Sequence, residues 1–170
     1  MSLTSLLKQI ADSEPGPKTC ALFDFDGTLI SGYSATAFLK DQISRGELSP
    51  ADLIQLTQAA TRFGIGSLGF SALMAVHAQY LAGRSESEYI VNSERLFRRA
   101  IAKLIYPEAR QLIEAHRAKG HSIAIISSAT PYQVLPAATD LGITDVYATD
   151  LEVIDGYFTG GVVTPTCFGG

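Results

Sequence analysis

Ala21-Leu22-Phe23-Asp24-Phe25-Asp26-Gly27-Thr28-Leu29-Ile30 joins an apolar run to two closely spaced carboxylates and a glycine. The run 20–25 has no helical polar face, so it predicts a fully buried strand of a parallel sheet that stops at Gly27, a turn former. Asp24 and Asp26 then lie near the carboxyl end of the strand, where open α/β sheets bind their ligands. Burying either carboxylate unpaired is strongly unfavourable, so we expect a cation or hydrogen-bond donors opposite them.

Of the two acids, Asp24 is the more informative. An Asx turn explains Asp26-Gly27, but it gives no reason for Asp24 inside an apolar strand. The segment resembles the first signature of the haloacid dehalogenase superfamily, four apolar residues followed by Asp-x-Asp-Gly-Thr, and in particular its phosphoserine phosphatase-like branch. The resemblance implies a phosphatase or phosphotransferase that hydrolyses a small phosphate monoester through an aspartyl-phosphate. Asp24 would be the nucleophile, and Asp26 would protonate the leaving oxygen and later deprotonate a water molecule.

The spacing of the two acids suits this chemistry. On an extended strand only residues i and i+2 share a face, so Asp24 and Asp26 can act on one substrate. Two carboxylates and a phosphate repel one another without a divalent ion, and hard oxygen ligands favour Mg²⁺. The resemblance places this cofactor on Asp24 and on the backbone carbonyl of Asp26. It also implies phosphate contacts at Phe25, Gly27 and Thr28, with Gly27 letting amides approach and Thr28 orienting Asp26.

A second apolar run, 121–126, ends in Ser127-Ser128-Ala129-Thr130 and a proline. A strand followed by such a turn is also a common helix N-terminus, so alone it is a weak signal. In the superfamily a Ser or Thr at this strand end binds a phosphoryl oxygen together with the next backbone amide. The resemblance makes Ser128 the better candidate, with Ala129 supplying the amide and Ser127 as the alternative.

The segment 32–105 has helical periodicity and predicts a helical cap inserted into an α/β core of residues 1–31 and 106–170. Its predicted helices are 33–44, one that starts at Ser49-Pro50, 71–81 and 85–104, with a turn at Gly64, Gly66 and Gly69. In the phosphoserine phosphatase-like branch such a cap closes over the site and selects small phosphorylated substrates.

The remaining sequence alternates helix and strand. Helices are predicted at 107–120 and 132–141, short strands at 146–148, 151–154 and 157–159, and a hairpin turn at Asp155-Gly156. This order favours a doubly wound, Rossmann-like parallel sheet in which the first strand is central.

The resemblance also implies a third motif, a Lys, and a fourth, one or two acids that complete the magnesium site. We expect the chain to stop before both, because only Gly169 and Gly170 follow Phe168. Asp145 and Asp150 precede the hairpin and are interpreted as turn or strand-end residues. The alternative hypothesis is therefore a truncated or non-catalytic phosphate-binding domain, or the N-terminal part of a longer protein such as a fusion to an acyltransferase.

Composition and the distribution of charged and apolar residues indicate the class of protein. The 170 residues are 46% hydrophobic, and 13 basic against 17 acidic residues give a formal charge of −4. No basic run indicates nucleic-acid binding, and no run of about eighteen apolar residues predicts a transmembrane segment. The N-terminal segment, amphipathic at 3–10, lacks the features of a signal peptide, so we expect a cytoplasmic protein that acts on a small phosphorylated metabolite.

Other polar and reactive side chains carry weaker signals. Cys20 and Cys167 have no metal-ligand or redox spacing and are expected to be reduced. Each histidine is expected to stand apart from other metal ligands, in a surface or packing role. Tyr33 and Ser34 lie close enough to the first signature to touch a substrate, although Ser34 could equally start a helix. A row of cations on one helix predicts a solvated face: Arg95, Arg98, Arg99 and Lys103.

Overall fold

The computed structural model describes residues 2–66 and 70–168, so the predicted turn residue Gly69 lies outside the described residues. Three parallel strands form a sheet in the order β1-β2-β3, and two antiparallel strands form a hairpin. The strands are β1 Cys20–Phe23, β2 Ser122–Ile126, β3 Asp145–Tyr147, β4 Leu151–Ile154 and β5 Tyr157–Val162. The helices are α1 Leu3–Asp12, α2 Ser34–Ser44, α3 Pro50–Gly64, α4 Phe70–Leu81, α5 Glu86–Leu96, α6 Pro107–Ala118 and α7 Pro131–Leu141. The predicted α/β class with a helical insertion is confirmed.

The order of the sheet differs from the expectation. Strand β2 is central in the described sheet and β1 lies at its edge, pairing Phe23 with Ile125. Strand β1 is also two residues shorter than predicted and is not fully buried, because Cys20 and Leu22 are exposed. Cys20 and Leu22 alternate with the less exposed Ala21 and Phe23, so one face of β1 is left uncovered.

The core lies between the sheet, α7 and the inserted helices. Its fully buried members include Phe25 and Leu29 just after β1, Ile125 in β2 and Val134 in α7. The register Phe23–Ile125 sets the carboxyl ends of β1 and β2 side by side. The loops that carry Asp24 and Ser127-Ser128 therefore leave the sheet at the same edge.

The inserted helices begin largely where the sequence predicts. Ser49 caps α3 by accepting a hydrogen bond from the backbone N–H of Asp52, and Pro50 occupies the first turn. The helix predicted at 85–104 is not continuous: α5 gives way to a π-helical turn, Phe97–Ile101, and a 3₁₀ turn, Ala102–Leu104. A π-helical turn widens a helix by one residue, which periodicity in the sequence does not reveal.

Arg99 keeps the exposed position expected of the cationic face, with its side chain 61% exposed, and it also reaches a neighbouring helix. Arg99, in the π-helical turn, donates to the carboxylate of Asp41 in α2, and Asp41 is buried at 5% exposure. Arg45 binds the same carboxylate at 2.9 Å. A buried carboxylate needs such partners: Arg99 reaches Asp41 from the π-helical turn, and Arg45 follows Asp41 by four positions at the end of the same helix.

The hairpin forms as predicted and makes an additional contact. Asp155 and Gly156 both adopt positive φ, 52° and 81°, as a two-residue turn between twisted strands requires. Strand β5 then pairs with the link between α4 and α5, where Gly83 N–H donates to the Phe158 carbonyl (2.8 Å) and Phe158 N–H donates to the Arg84 carbonyl (3.0 Å). The hairpin is thus fastened to the helical insertion.

The expectation that each histidine stands apart is wrong for His116 and His121. Their Nδ1 atoms lie 2.9 Å apart, and Nε2 of His121 lies 2.9 Å from the carbonyl oxygen of Glu14. Lys119 donates to the Ala11 carbonyl at 2.9 Å. The N-terminal helix α1 is therefore held against the end of α6.

No helix in the ranges 2–66 and 70–168 combines the length and apolar character needed to cross a bilayer.

Replacing Gly142 should lower stability. Gly142 ends α7 at φ +64°, and an added Cβ would lie 3.1 Å from Nη2 of Arg117. Gly142→Ala should therefore lower the free energy of unfolding by about 1–2 kcal/mol in urea titrations. Gly64→Ala is the matched control: Gly64 is helical with open space around it, so Ala should leave stability unchanged or raise it by up to about 1 kcal/mol. Equal effects of the two variants would contradict this account.

His77 should make stability depend on pH. Burial in α4 lowers the pKa of His77 from 6.5 to about 4. Between these two pKa values the imidazole of His77 is protonated in the unfolded chain but neutral in the folded protein. The contribution of His77 to stability is therefore fully present above about pH 6.5 and is lost as the pH falls toward about 4.

We expect a loss of up to about 3 kcal/mol across that window, from 1.36 kcal/mol per pKa unit. Urea titrations at several pH values should show a shallower dependence for His77→Leu than for the wild type. His116→Gln, which leaves His77 in place, should keep most of the slope. Identical slopes for His77→Leu and the wild type would refute the assignment.

Candidate active site

The loop after β1 turns sharply and is not a continuation of the strand. Leu29 N–H donates to the Phe25 carbonyl (2.9 Å), and Gly27 N–H donates to the Gly32 carbonyl (2.9 Å) with Gly27 at φ +75°. Asp24 and Asp26 are thus placed by a turn, and the explanation that they share the face of an extended strand is wrong. Gly27 serves through its positive φ, and its amide is used within the loop.

Ser34 holds both carboxylate oxygens of Asp26. Its backbone N–H donates to Oδ1 at 2.7 Å, and its hydroxyl donates to Oδ2 at 3.1 Å. Ser34 is the first residue of α2 and is fully buried. The expected orienting residue, Thr28, is exposed, and in the described part of the chain its hydroxyl makes no hydrogen bond with Asp26. The orientation of Asp26 is therefore set by the start of the helical insertion.

The two acids differ in their burial and electrostatic surroundings. Asp26 is half-buried, and this desolvation is the main cause that raises its pKa; the two hydrogen bonds from Ser34 act in the opposite direction, and the negative charge of Asp24 adds to the rise. Asp24 is exposed. A carboxyl group with a raised pKa keeps its proton to higher pH, which suits an acid, whereas an accessible carboxylate suits a nucleophile.

Asp24 is held locally. Its Oδ1 accepts a hydrogen bond from the backbone N–H of Phe25 at 2.7 Å. The side chain of Phe25 is fully buried in the core, so only its backbone faces the site. This anchors the peptide after β1 while the carboxylate of Asp24 stays open to solvent.

The two serines at the end of β2 differ. Ser127 is buried, and its hydroxyl accepts a hydrogen bond from the Ala129 N–H at 3.2 Å. Ser128 is partly exposed, and no hydrogen bond of its hydroxyl is found among residues 2–66 and 70–168. The Ala129 amide, expected to bind phosphate, is used within the turn. Thr130 is the N-cap residue of α7, so the capping role does not fall on Ser128.

The metal ligands are few in the described structure. Within residues 2–66 and 70–168 no group of three His, Cys, Asp or Glu side chains is arranged to hold a metal ion. Asp24 supplies an accessible carboxylate, and both side-chain oxygens of Asp26 are occupied by Ser34. Magnesium commonly takes one or two protein carboxylates and completes its shell with water and substrate phosphate, so the residues present fit part of such a shell.

A cavity of about 650 Å³ in the helical insertion is lined in part by Gly32, Tyr33, Lys40 and Arg99. Tyr33 is 70% exposed at the entrance to the insertion. Asp24, Asp26 and Ser128 do not line this cavity.

Sequence reasoning missed Gln133. Its side chain accepts from the backbone N–H and hydroxyl of Thr130 and donates to the hydroxyl of Ser34, each at 2.9 Å. The spacing Thr-x-x-Gln at a helix start could have indicated the contact with Thr130. The contact with Ser34, which lies 99 positions earlier in the chain, has no local signal.

Similar proteins include several phosphatases. The chain is 32% identical over 148 residues to a phosphoserine phosphatase of Mycobacterium tuberculosis, a match of 84% of the chain and 48% of that protein. It is 30% identical over 152 residues to a histidinol-phosphatase of Neisseria meningitidis, covering 88% of the chain and 68% of that protein. A putative hydrolase of Mycobacterium leprae is 30% identical. The chain spans about half the length of these mycobacterial relatives.

Solved structures share the fold. A Bordetella pertussis protein of unknown function superposes with a TM-score of 0.79 at 24% identity, covering 88% of this chain and 67% of that one. A phosphoserine phosphatase determined as a phospho-aspartyl intermediate analogue gives a TM-score of 0.58 at 23% identity, covering 86% and 63%.

The family is shown by the match along the chain. Residues 21–170, from the apolar run before Asp24 through the hairpin, match the model of the haloacid dehalogenase-like hydrolases. The carboxylate pair, the second strand end and the helical insertion all fall within this match. The chain belongs to the haloacid dehalogenase-like hydrolase family, and the phosphoserine phosphatase-like branch suggested by its first signature fits its relatives.

Proposed function

We propose that this protein is a Mg²⁺-dependent phosphoric monoester hydrolase that works through an aspartyl-phosphate on Asp24. The observation that carries the proposal is the unequal pair of carboxylates: Asp24 is exposed, while Asp26 is half-buried and bound through both oxygens by Ser34. One acid is free to attack, and the other is fixed and keeps its proton more readily.

The reaction divides into two steps. A carboxylate oxygen of Asp24 attacks phosphorus, the bond from phosphorus to the ester oxygen breaks, and that oxygen takes the proton of Asp26 and leaves as an alcohol. In the second step Asp26 accepts a proton from water, and the water oxygen attacks phosphorus. The bond from phosphorus to Asp24 then breaks, which releases phosphate and restores both acids to their starting forms.

Magnesium would be held by the carboxylate of Asp24 and the backbone carbonyl of Asp26, with water and the substrate phosphate in the other positions. The ion supplies positive charge that offsets the repulsion between the carboxylates and the phosphate. The chain's own contribution is to hold the Asp26 side chain, because Ser34 donates a hydrogen bond to each of its oxygens.

Ser128 is the proposed phosphate ligand. Its support is the partly exposed hydroxyl at the end of β2, at the same edge of the sheet as Asp24. The backbone around Phe25, Gly27 and Thr28 is proposed to form the opposite wall of the phosphate site.

The proposed cap, residues 32–105, joins the core through paired backbone bonds at its two ends. Ser31 N–H donates to the Leu104 carbonyl at 2.8 Å, and Tyr106 N–H donates to the Leu29 carbonyl at 3.0 Å. These bonds support a division at this junction into the cap and a core of residues 1–31 and 106–170.

The proposed substrate is the phosphate ester of a small aliphatic alcohol. The names of the two relatives, a phosphoserine phosphatase and a histidinol-phosphatase, point to primary alcohols that carry an amine. An alkoxide is a poor leaving group, so such esters need the proton that Asp26 is placed to deliver.

Phosphate release should depend on Asp24 and on Mg²⁺. With p-nitrophenyl phosphate and Mg²⁺, Asp24→Asn should lower kcat by more than about a thousand-fold, because the amide cannot form the covalent intermediate. EDTA should abolish turnover, and added Mg²⁺ should restore it. Asp145→Asn, which removes an exposed carboxylate at the start of β3, is the matched control and should keep activity.

Full activity of Asp24→Asn would refute the proposal. Phosphate binding without turnover by the wild type, measured by calorimetry, would favour the non-catalytic phosphate-binding alternative.

Replacing Ser128 and replacing Ser127 should have different effects on the kinetics. Ser128→Ala should lower kcat/KM about ten- to hundred-fold by removing one donor to the phosphoryl oxygens. Ser127→Ala removes the acceptor for the Ala129 amide, so it should mainly lower stability, by about 1 kcal/mol. A larger kinetic loss for Ser127→Ala than for Ser128→Ala would reverse the assignment.

A further inference from the structure

The carboxylate of Asp26 is the end of a chain of buried hydrogen bonds. Ser34 donates to Asp26 through its hydroxyl (3.1 Å), and Gln133 Nε2 donates to the Ser34 hydroxyl (2.9 Å). Gln133 Oε1 accepts from the N–H and the hydroxyl of Thr130, both at 2.9 Å. Ser34 and Thr130 are fully buried and Gln133 is 7% exposed. This chain of hydrogen bonds is therefore closed to solvent except at Asp26.

The backbone N–H of Thr130 determines which groups donate and which accept along this chain of hydrogen bonds. The Thr130 backbone N–H can only donate, so the Gln133 atom facing it must be the carbonyl oxygen. The amide nitrogen of Gln133 then faces Ser34 and uses a proton in that bond. The Ser34 hydroxyl, already an acceptor, has its own proton left for Asp26. All donors thus point toward the carboxylate.

The hydrogen-bond chain connects three separate parts of the sequence. Asp26 lies in the loop after β1, Ser34 starts the helical insertion, and Gln133 lies in the first turn of α7, five residues after Ser128. A displacement of the start of α2 would break the bonds from Ser34 to Asp26, and a displacement of the start of α7 would break the bond from Gln133 to the Ser34 hydroxyl. The orientation of this acid is therefore tied to the strand end that carries the proposed phosphate ligand.

We propose that Ser34 and Gln133 are positioning residues that hold Asp26 for proton transfer to the leaving group, an inference that rests on the proposed phosphatase function. Two bonds from Ser34 fix the plane of the carboxyl group, and Gln133 fixes the Ser34 hydroxyl. Neither residue touches the reacting phosphorus. Their effect should therefore appear only where the departing oxygen needs a proton.

The leaving group provides the test. A p-nitrophenolate departs without protonation, whereas an alkoxide requires it. The 170-residue protein is assayed with Mg²⁺ on p-nitrophenyl phosphate and on an alkyl phosphate that the wild type hydrolyses, with phosphoserine and histidinol phosphate tried first. The measured quantity is kcat/KM, which reports the steps up to release of the alcohol or phenol.

We expect Ser34→Ala to lower kcat/KM for the alkyl ester by about 30- to 100-fold and for the aryl ester by less than about threefold. Gln133→Met, which keeps the length of the side chain but has no donor, should give the same asymmetry at about tenfold on the alkyl ester. Ser34→Thr retains the hydroxyl and should recover most of the loss.

Ser93→Ala is the matched control. Ser93 is 2% exposed, and its hydroxyl donates to the Tyr89 carbonyl at 2.7 Å within the insertion, apart from the hydrogen-bond chain to Asp26. This variant should change neither substrate by more than about twofold, because it removes a buried hydroxyl without a link to the acid.

Equal losses on both esters, or no loss on either, would overturn the positioning role while leaving the phosphatase proposal in place. No turnover of either ester by the wild type would overturn both. A readout independent of activity is the exchange of the Gln133 side-chain amide protons in NMR spectra. Exchange should be slow in the wild type and in Ser93→Ala and fast in Ser34→Ala; slow exchange in Ser34→Ala would also overturn the inference.

Discussion

A half-buried carboxylate that lacks enough water must be satisfied by the protein, and in this molecule that constraint acts at Asp26. Desolvation is the largest influence on its pKa, and the two hydrogen bonds from Ser34 offset part of it. Ser34 makes both bonds from a fully buried position at the first residue of α2. The loop after β1 and the beginning of the helical insertion thus form one structural unit, because moving either would leave the half-buried carboxyl group without its hydrogen bonds from Ser34.

The same constraint extends to the second strand. Ser34 is fully buried, so its hydroxyl needs a partner of its own, and Gln133 at the start of α7 supplies one. Helix α7 begins immediately after Ser127-Ser128-Ala129, so its placement also determines where Ser128 lies. The site is therefore assembled from two strand ends and one helix start of the insertion, held by hydrogen bonds that are buried at Gln133 and partly buried at Asp26.

The insertion is fastened to the rest of the chain at more than its two ends. Besides the backbone bonds at 29–31 and 104–106, strand β5 pairs with the link at Gly83 and Arg84. The hairpin, which follows the core elements in the sequence, is therefore also part of the surroundings of the insertion. This contact joins segments about 75 positions apart in the sequence, and neither segment indicates it locally.

Local patterns were reliable wherever neighbours in the chain decide the geometry. Asp155-Gly156 forms the predicted turn because both positions need positive φ, and Ser49-Pro50 starts α3 because its cap is made with Asp52, three residues later. Two expectations that failed concern side-chain contacts between different elements. Ser34 at the start of α2, rather than Thr28, holds Asp26, and His116 in α6 meets His121 just before β2.

The amino-acid sequence by itself therefore determined the family, the α/β class, the pair of acids and the order of the elements, because these follow from the spacing of apolar, acidic and turn residues along the chain. Only the tertiary structure decided that β1 lies at the edge of the described sheet and that Asp26 is held from α2 and α7. These features depend on which surfaces meet after folding, and the polar groups that satisfy a buried charge can come from any part of the chain.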